Sequence, residues 1–298
     1  MKILVYGSLN IDLLFSVDHI VSPGETISSA QFDKSAGGKG ANQAAAFAKA
    51  GLPVYMAGKT GEDGQFLLNL LKSYGVNTDA VVMYEGAAGQ AVIQIDKNGQ
   101  NSIVLYPGGN GEITTKEIDK TISAFSDGDI IVLQNETSNL KYQMERAKKQ
   151  GMRICLNPSP FNEKLEDIPL HIANWLFVNE IEGAALAGTS PSQTNLRDIV
   201  DLLVKKFPET KIILTAGKEG AFYGFGETRE KGEIIDVKAV DTTGAGDTFT
   251  GYFICALEKN MGIAQSLSIA CKAAGIAVSR KGAFESIPFA DEVFDKTC

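Results

Sequence analysis

Short runs of consecutive apolar residues alternate along this chain with longer amphipathic stretches. The runs 3–6, 130–133, 154–156, 175–178 and 212–214 are short and uniformly apolar, and they predict strands buried on both faces. Between them, residues 43–50, 65–74, 142–150 and 197–207 carry apolar positions at helical spacing and predict helices. Strand, helix, strand, helix is the pattern of an α/β protein, with a central, mostly parallel sheet between two layers of helices.

Two segments break that pattern. Residues 11–35 hold Leu13-Leu14-Phe15-Ser16-Val17, then Pro23-Gly24, Thr26-Ile27 and Ala30-Gln31-Phe32. Residues 90–106 read as two alternating strands, 91–95 and 102–105, around Asp96-Lys97-Asn98-Gly99, and Asn-Gly is a strong hairpin signal. Four short strands inserted into an α/β protein predict a small accessory sheet. Such a sheet can serve as a lid over a site at the carboxyl ends of the main strands. Pro158-Ser159-Pro160 and Gly217-Lys218-Glu219-Gly220 mark loops, not linkers. Residues 1–298 therefore read as a single α/β domain carrying 11–35 and 90–106 as an inserted β lid.

Composition narrows the field. The apolar fraction of 44% and charged fraction of 21% are those of an ordinary globular chain, which excludes a disordered or collagen-like one. A net charge of -8 argues against a general nucleic-acid binder, which needs clustered cations. It leaves open a small phosphate-bearing ligand held by backbone amides. The four cysteines, Cys155, Cys255, Cys271 and Cys298, form no CxxC pair, and His19 and His171 lie far apart. Free thiols in a reducing, cytoplasmic setting are expected, with neither a zinc site nor a disulfide framework. The apolar start, Ile3 to Tyr6, breaks at Gly7-Ser8-Leu9-Asn10, which suits a buried strand rather than a secretory segment. No run reaches the roughly 18 apolar residues of a membrane span.

The most informative stretch is Asp241-Thr242-Thr243-Gly244-Ala245-Gly246-Asp247-Thr248-Phe249, which leads into an apolar helix over 250–257. Small residues directly before a helix leave its first N–H groups open at the positive end of the dipole. Gly244, Ala245 and Gly246 would let a phosphate approach them. Asp247, at the mouth of that anion site, could accept a proton from an attacking hydroxyl, or it could merely cap the helix. Gly37-Gly38-Lys39-Gly40-Ala41-Asn42-Gln43 likewise precedes a helix. Lys39 can meet a phosphate, and Asn42, with Asn10 and Asp12 at the end of the first strand, suits vicinal hydroxyls. Plainer roles, a helix cap and strand-end turns, fit each of these residues taken singly. Gly58-Lys59-Thr60 ends like a phosphate-binding P-loop, but Pro53 stands where that motif needs glycine.

Taken together, these motifs resemble the ribokinase family of carbohydrate kinases. Gly7-Ser8-Leu9-Asn10-Ile11-Asp12, Pro23-Gly24-Glu25-Thr26, residues 37–43 and residues 241–248 match in order, as do Asn179-Glu180, Thr215-Ala216-Gly217 with Gly220, and Arg280-Lys281-Gly282-Ala283. The resemblance spans nearly the whole chain. It implies a three-layer fold with a small β lid, and a homodimer formed through that lid. It implies ATP with magnesium as phosphoryl donor and Asp247 as general base, with Gly244, Ala245 and Gly246 as anion hole. The implied sugar site is Asn10, Asp12, Gly38, Lys39, Asn42 and Glu136, with Gly40 and Ala41 inside the same run. The implied nucleotide site is Asn179, Thr215, Gly217 and Gly220, reached also by Gly246 and Asp247. Cys271 stands at a further nucleotide position, where family members often carry a polar residue. A monovalent cation, potassium, is implied beside the anion hole, at Asp241, Thr243, Ala277, Arg280, Gly282 and Ser286.

Asn10, Asp12 and the Gly-Gly-Lys-Gly-Ala-Asn run favour D-ribose as acceptor, with another sugar or a nucleoside as the alternative. A non-catalytic sensor on the same fold is a rival that has no need of Asp247. A dinucleotide-dependent dehydrogenase would need three glycines after the first strand, where only Gly7 stands.

Overall fold

The structure, a computed structural model, describes residues 1–294. Cys298, and with it the end of the expected 1–298 domain, lies outside the described residues. The strands are β1 (Ile3–Tyr6), β2 (Asn10–Ser16), β3 (Gln31–Gly37), β4 (Val54–Thr60), β5 (Asn77–Met83), β6 (Gly89–Ile95), β7 (Asn101–Tyr106), β8 (Ile130–Gln134), β9 (Arg153–Asn157), β10 (Trp175–Asn179), β11 (Lys211–Thr215), β12 (Ala221–Phe225) and β13 (Thr228–Gly232). The helices are α1 (Lys39–Lys49), α2 (Gln65–Ser73), α3 (Thr115–Ile122), α4 (Leu140–Lys149), α5 (Glu180–Ala187), α6 (Leu196–Lys206), α7 (Ala245–Glu258), α8 (Ile263–Val278) and α9 (Ala290–Val293).

Nine strands form the main sheet in the order β13-β12-β11-β10-β9-β8-β1-β4-β5. It is parallel from β5 to β11, and the last two strands run antiparallel. Each apolar strand serves two cores at once. Ile3, Val5, Ile130, Val132, Phe177 and Ile213 pack on one face with α1, α7 and α8. Leu4, Tyr6, Ile131, Leu133, Val178 and Leu214 pack on the other with α3, α4 and α6. Burial on both faces is why these strands read as unbroken apolar runs.

The second sheet has four strands in the order β3-β2-β6-β7. The chain enters it straight from β1 through Gly7-Ser8-Leu9, so Asn10 and Asp12 open β2 and do not end the first strand as expected. β6 and β7 pair as the expected antiparallel hairpin, with Gly99 in the turn at φ 78°.

Both glycine-rich runs differ from expectation in the same way. α1 begins at Lys39 and α7 at Ala245, four and five residues before the predicted starts. Glycines there signalled loop, but the first helical turn needs no internal donor, so small residues are tolerated in it. The Gly58-Lys59-Thr60 tail closes β4. Its Lys59 ammonium donates to Glu112 O at 2.8 Å and to Glu117 Oε1 at 2.9 Å.

Candidate active site

Gly244 is the residue before α7, and its φ of 72° is a left-handed conformation that glycine adopts without strain. Ala245 N is drawn to Thr242 O by a long bond of 3.3 Å, whereas Thr248 N bonds Gly244 O at 2.8 Å. Between them stand the first-turn amides of Gly246 and Asp247, which have no intrahelical acceptor. Gly246 is exposed, and a Cβ added there would meet no atom within 4 Å. The turn therefore presents open amides at the positive end of a 14-residue helix, a fit for phosphate oxygens.

Asp247 follows in the same turn, and its carboxylate does not cap the helix. It is only 6% exposed and turns toward α1. Asn42 Nδ2 donates to Oδ2 at 3.0 Å and Gln43 Nε2 to Oδ1 at 2.8 Å. Two amide donors stabilise an ionised carboxylate, the form that can accept a proton. The helices come close enough for this because α1 is a run of alanines and α7 carries Gly251. A Cβ on Gly251 would lie 2.7 Å from the Ala46 Cβ.

The residues expected around the sugar fall beside this pair. The start of α1 lies on the Gly7-Ser8 turn: Ala41 N donates to Ser8 O at 3.0 Å, and Gly40 N to Ser8 Oγ at 3.1 Å. Gly38 immediately precedes the helix. Glu136, beyond the carboxyl end of β8, accepts from Ser8 Oγ and, at 3.1 Å, from Lys39 N, so a carboxylate closes the amino end of α1. Burial raises the Glu136 pKa, and the charge of Asp247 adds to this, against the pull of Lys39 and the Ser8 bond. Burial alone would lower Lys39, but the carboxylates of Asp247, Glu136 and Glu182 outweigh it and hold the ammonium charged. Asp12 is pushed up to about 7, first by burial and then by the charge of Glu136. Asn10 accepts from Asn110 Nδ2 at 2.8 Å, and Asn110 Oδ1 in turn accepts from Leu9 N at 3.0 Å. This ties the start of the small sheet to the 108–111 turn.

A cleft of about 440 Å³ runs past the start of α7, reached by Lys39 and Asp247 but not lined by Asn10, Asp12, Gly38, Asn42 or Glu136. Lys39, Gly244, Ala245, Gly246 and Asp247 line it together with Asn179, Thr215 and Gly217. Asn179 caps α5, accepting from Ile181 N and Glu182 N. Gly220 and Cys271 do not line this cleft. Gly220 is buried beside the Gly232 backbone. Cys271 is buried in α8 against Gly232, where burial raises its thiol to about 11. Glu180 and Glu182 also line the cleft, unforeseen in the sequence beyond the Asn179-Glu180 pair. Ser8, Gln43, Gln134 and Asn110 were missed as well, although Ser8 and Gln43 lie inside the quoted motifs.

Of the expected cation positions, Asp241, Thr243 and Gly282 meet in a loop pair. Val240 N and Asp241 N both reach Val278 O, at 2.7 and 3.2 Å. Asp241 accepts from Thr243 N at 2.9 Å and from Gly282 N at 3.0 Å. Burial opposes ionisation of Asp241, but these bonds and Lys281 outweigh it and lower its pKa. Ser286 is buried, and Ala277 closes the end of α8 next to the loop. Arg280 pairs its guanidinium with Glu292, and since a guanidinium has no acceptor atom, only the Arg280 carbonyl oxygen could serve as a ligand. The Asp241 carboxylate, its ionised form favoured by these N–H donors, is the hard oxygen donor of this loop pair that a cation could meet.

Comparison with known proteins identifies the family and the fold. The model of the pfkB family of carbohydrate kinases matches residues 1–290. A ribokinase of Haemophilus influenzae is 32% identical over 300 residues, covering 98% of this chain and 96% of its own. A deoxyribokinase of Salmonella typhi is 32% identical over 295 residues, covering 97% and 96%. The crystal structure of a ribokinase from Cryptococcus neoformans var. grubii, in complex with ADP, superposes with a TM-score of 0.85 at 33% identity, covering 98% of both chains. The chain belongs to the pfkB family of carbohydrate kinases and is an ATP-dependent sugar kinase of ribokinase-like fold.

Proposed function

We propose that the enzyme phosphorylates D-ribose, giving D-ribose 5-phosphate and ADP, with Asp247 as general base. The observation that carries this reading is the Asp247 carboxylate. It is buried, held by two amides, and set in the same helical turn as open backbone N–H groups. The sugar binds against Asn10, Asp12, Gly38, Lys39, Asn42 and Glu136, and ATP lies along Asn179, Thr215 and Gly217. The 5-hydroxyl gives its proton to Asp247 as its oxygen bonds to the γ-phosphorus, and the bond from that phosphorus to ADP breaks. The open amides at the start of α7, in the Gly244, Ala245 and Gly246 turn, stabilise the transferring group, and Lys39 adds positive charge.

Magnesium bound with ATP would supply charge neutralisation at the phosphates, and Glu180 and Glu182, carboxylates that line the cleft along with Asp247, could hold it. Potassium would sit among Asp241, Thr243, Ala277, Arg280, Gly282 and Ser286, fixing the loop beside the anion site. The small sheet acts as the lid that keeps water from the phosphoryl group. Phe32, Ile103, Val104, Leu105 and Tyr106 are exposed on that sheet, and this apolar surface supports a homodimer formed through it. No helix of the described residues is long and apolar enough to cross a membrane, which fits a cytoplasmic enzyme.

The test is ADP release from ATP and magnesium across ribose, 2-deoxyribose, fructose and nucleosides, with potassium or sodium. Turnover greatest with ribose and raised by potassium is expected. Turnover greatest with another acceptor overturns the substrate. Ligand binding without any turnover points to a sensor.

A further inference from the structure

The carboxylate assigned as base has a third partner layer behind it. Gln43 and Gln134 are both fully buried, and they form a line into Asp247. Gln134 Nε2 donates to Gln43 Oε1 at 2.7 Å, and Gln43 Nε2 donates to Asp247 Oδ1 at 2.8 Å. The polarity of this line is fixed by chemistry. An ionised carboxylate only accepts, so the Gln43 NH₂ must face it, and its carbonyl must then be met by a donor. Gln134 is that donor, and it ends β8 on the rigid main sheet, beside Gly7, where any side chain would collide with its amide.

Asn42 differs. Its Oδ1 is buried without a partner among the described residues, so it has an atom to offer a ligand. Gln43 has none, since both ends of its amide are engaged. We propose that Gln43 is the positioning residue of Asp247, fixing one carboxylate oxygen from behind while Gln134 fixes Gln43. Oδ2, the oxygen shared with Asn42, is then the one that accepts the proton. The charged groups facing Asp247 are Lys39, from the start of α1, and Glu136, from beyond β8, with Glu182 and Asp12 behind them.

This inference rests on Asp247 being the base. The test follows kcat against pH at saturating ribose and ATP for the native enzyme and for Gln43→Leu, Gln43→Glu and Gln134→Leu. Saturation keeps sugar-affinity effects such as those of Asp12 out of the profile, because kcat reports on the substrate complex. Loss of the Gln43 donor removes a bond that favours the ionised carboxylate, so the acidic limb should move up by about one pH unit. Gln43→Glu keeps the shape and sets a second carboxyl against Asp247, so its limb should move further. Gln134→Leu should move it the same way by less. Should Gln43→Leu fail to fold, Gln43→Glu carries the test alone. Limbs that coincide with the native one overturn the proposal. Asp247→Asn separates the two readings: if it stays active, the base is wrong, and if it is inactive while the limbs are unmoved, only the role of Gln43 is wrong.

Discussion

Asn42 reaches across from α1 to α7 and donates from Nδ2 to Asp247 Oδ2 at 3.0 Å, while its own Oδ1 lies buried without a donor among the described residues. Such an atom costs about 1–3 kcal/mol until something satisfies it. A sugar hydroxyl that reached it would do so, and Asn42 would then read the substrate and hold the base at once. Asn42→Ala should raise the KM for ribose about tenfold or more and lower kcat less than Asp247→Asn does. Steady-state kinetics decide it, and an unchanged KM would remove Asn42 from the sugar pocket.

Asp12 offers a pH signature. Its folded pKa, about 7, lies above the ordinary carboxylate value because of burial and Glu136. The ligand-free folded state therefore holds a proton that the unfolded chain has released. Stability from this group is full below the unfolded pKa and is lost as pH rises through about 7. Asp12→Asn, which cannot ionise, should gain thermal stability relative to the native protein between pH 5 and 8. Melting curves at the two pH values check this, and a gap that stays constant contradicts it.

Gly246 separates folding from catalysis. Its position has open space for a methyl group, and alanine in a helix is favoured over glycine by about 0.5–1 kcal/mol. Gly246→Ala should thus be at least as stable as the native protein. Its methyl group would nevertheless stand where the phosphoryl group must approach the amides, and kcat should fall about 100-fold. Denaturation and kinetics on one preparation test both halves.

Gly251 is the opposite case. A methyl group there meets Ala46 and the Phe47 backbone at 2.7–3.0 Å, so α1 and α7 must separate. Gly251→Ala should lose about 1–3 kcal/mol and also loosen the Asn42 and Gln43 bonds to Asp247. A lower Tm with unaltered kcat would show that the base tolerates the displacement.

The sequence showed the fold where burial is complete and hid it where it is not. The strand at 130–134 is apolar throughout because both of its faces are covered. β13, Thr-Arg-Glu-Lys-Gly, carries no such pattern, being an edge strand held by its ladder to β12. β4 and β5 were missed for a related reason, since β4 ends in Gly-Lys-Thr and β5 is half polar. The glycine turn before Asp247 was visible, because open amides need small residues. The partners of Asp247 were not, since the bond from Gln43 spans 204 residues of sequence. Nothing local marks that glutamine apart from its place at the end of the 37–43 run.

The most direct test of the central claim compares ribose-dependent ADP formation by the native enzyme and Asp247→Asn, alongside ADP binding by both. Loss of the base should lower kcat by about 10²–10⁴-fold while ADP affinity stays near native. Near-native turnover in the variant would contradict Asp247 as the proton acceptor.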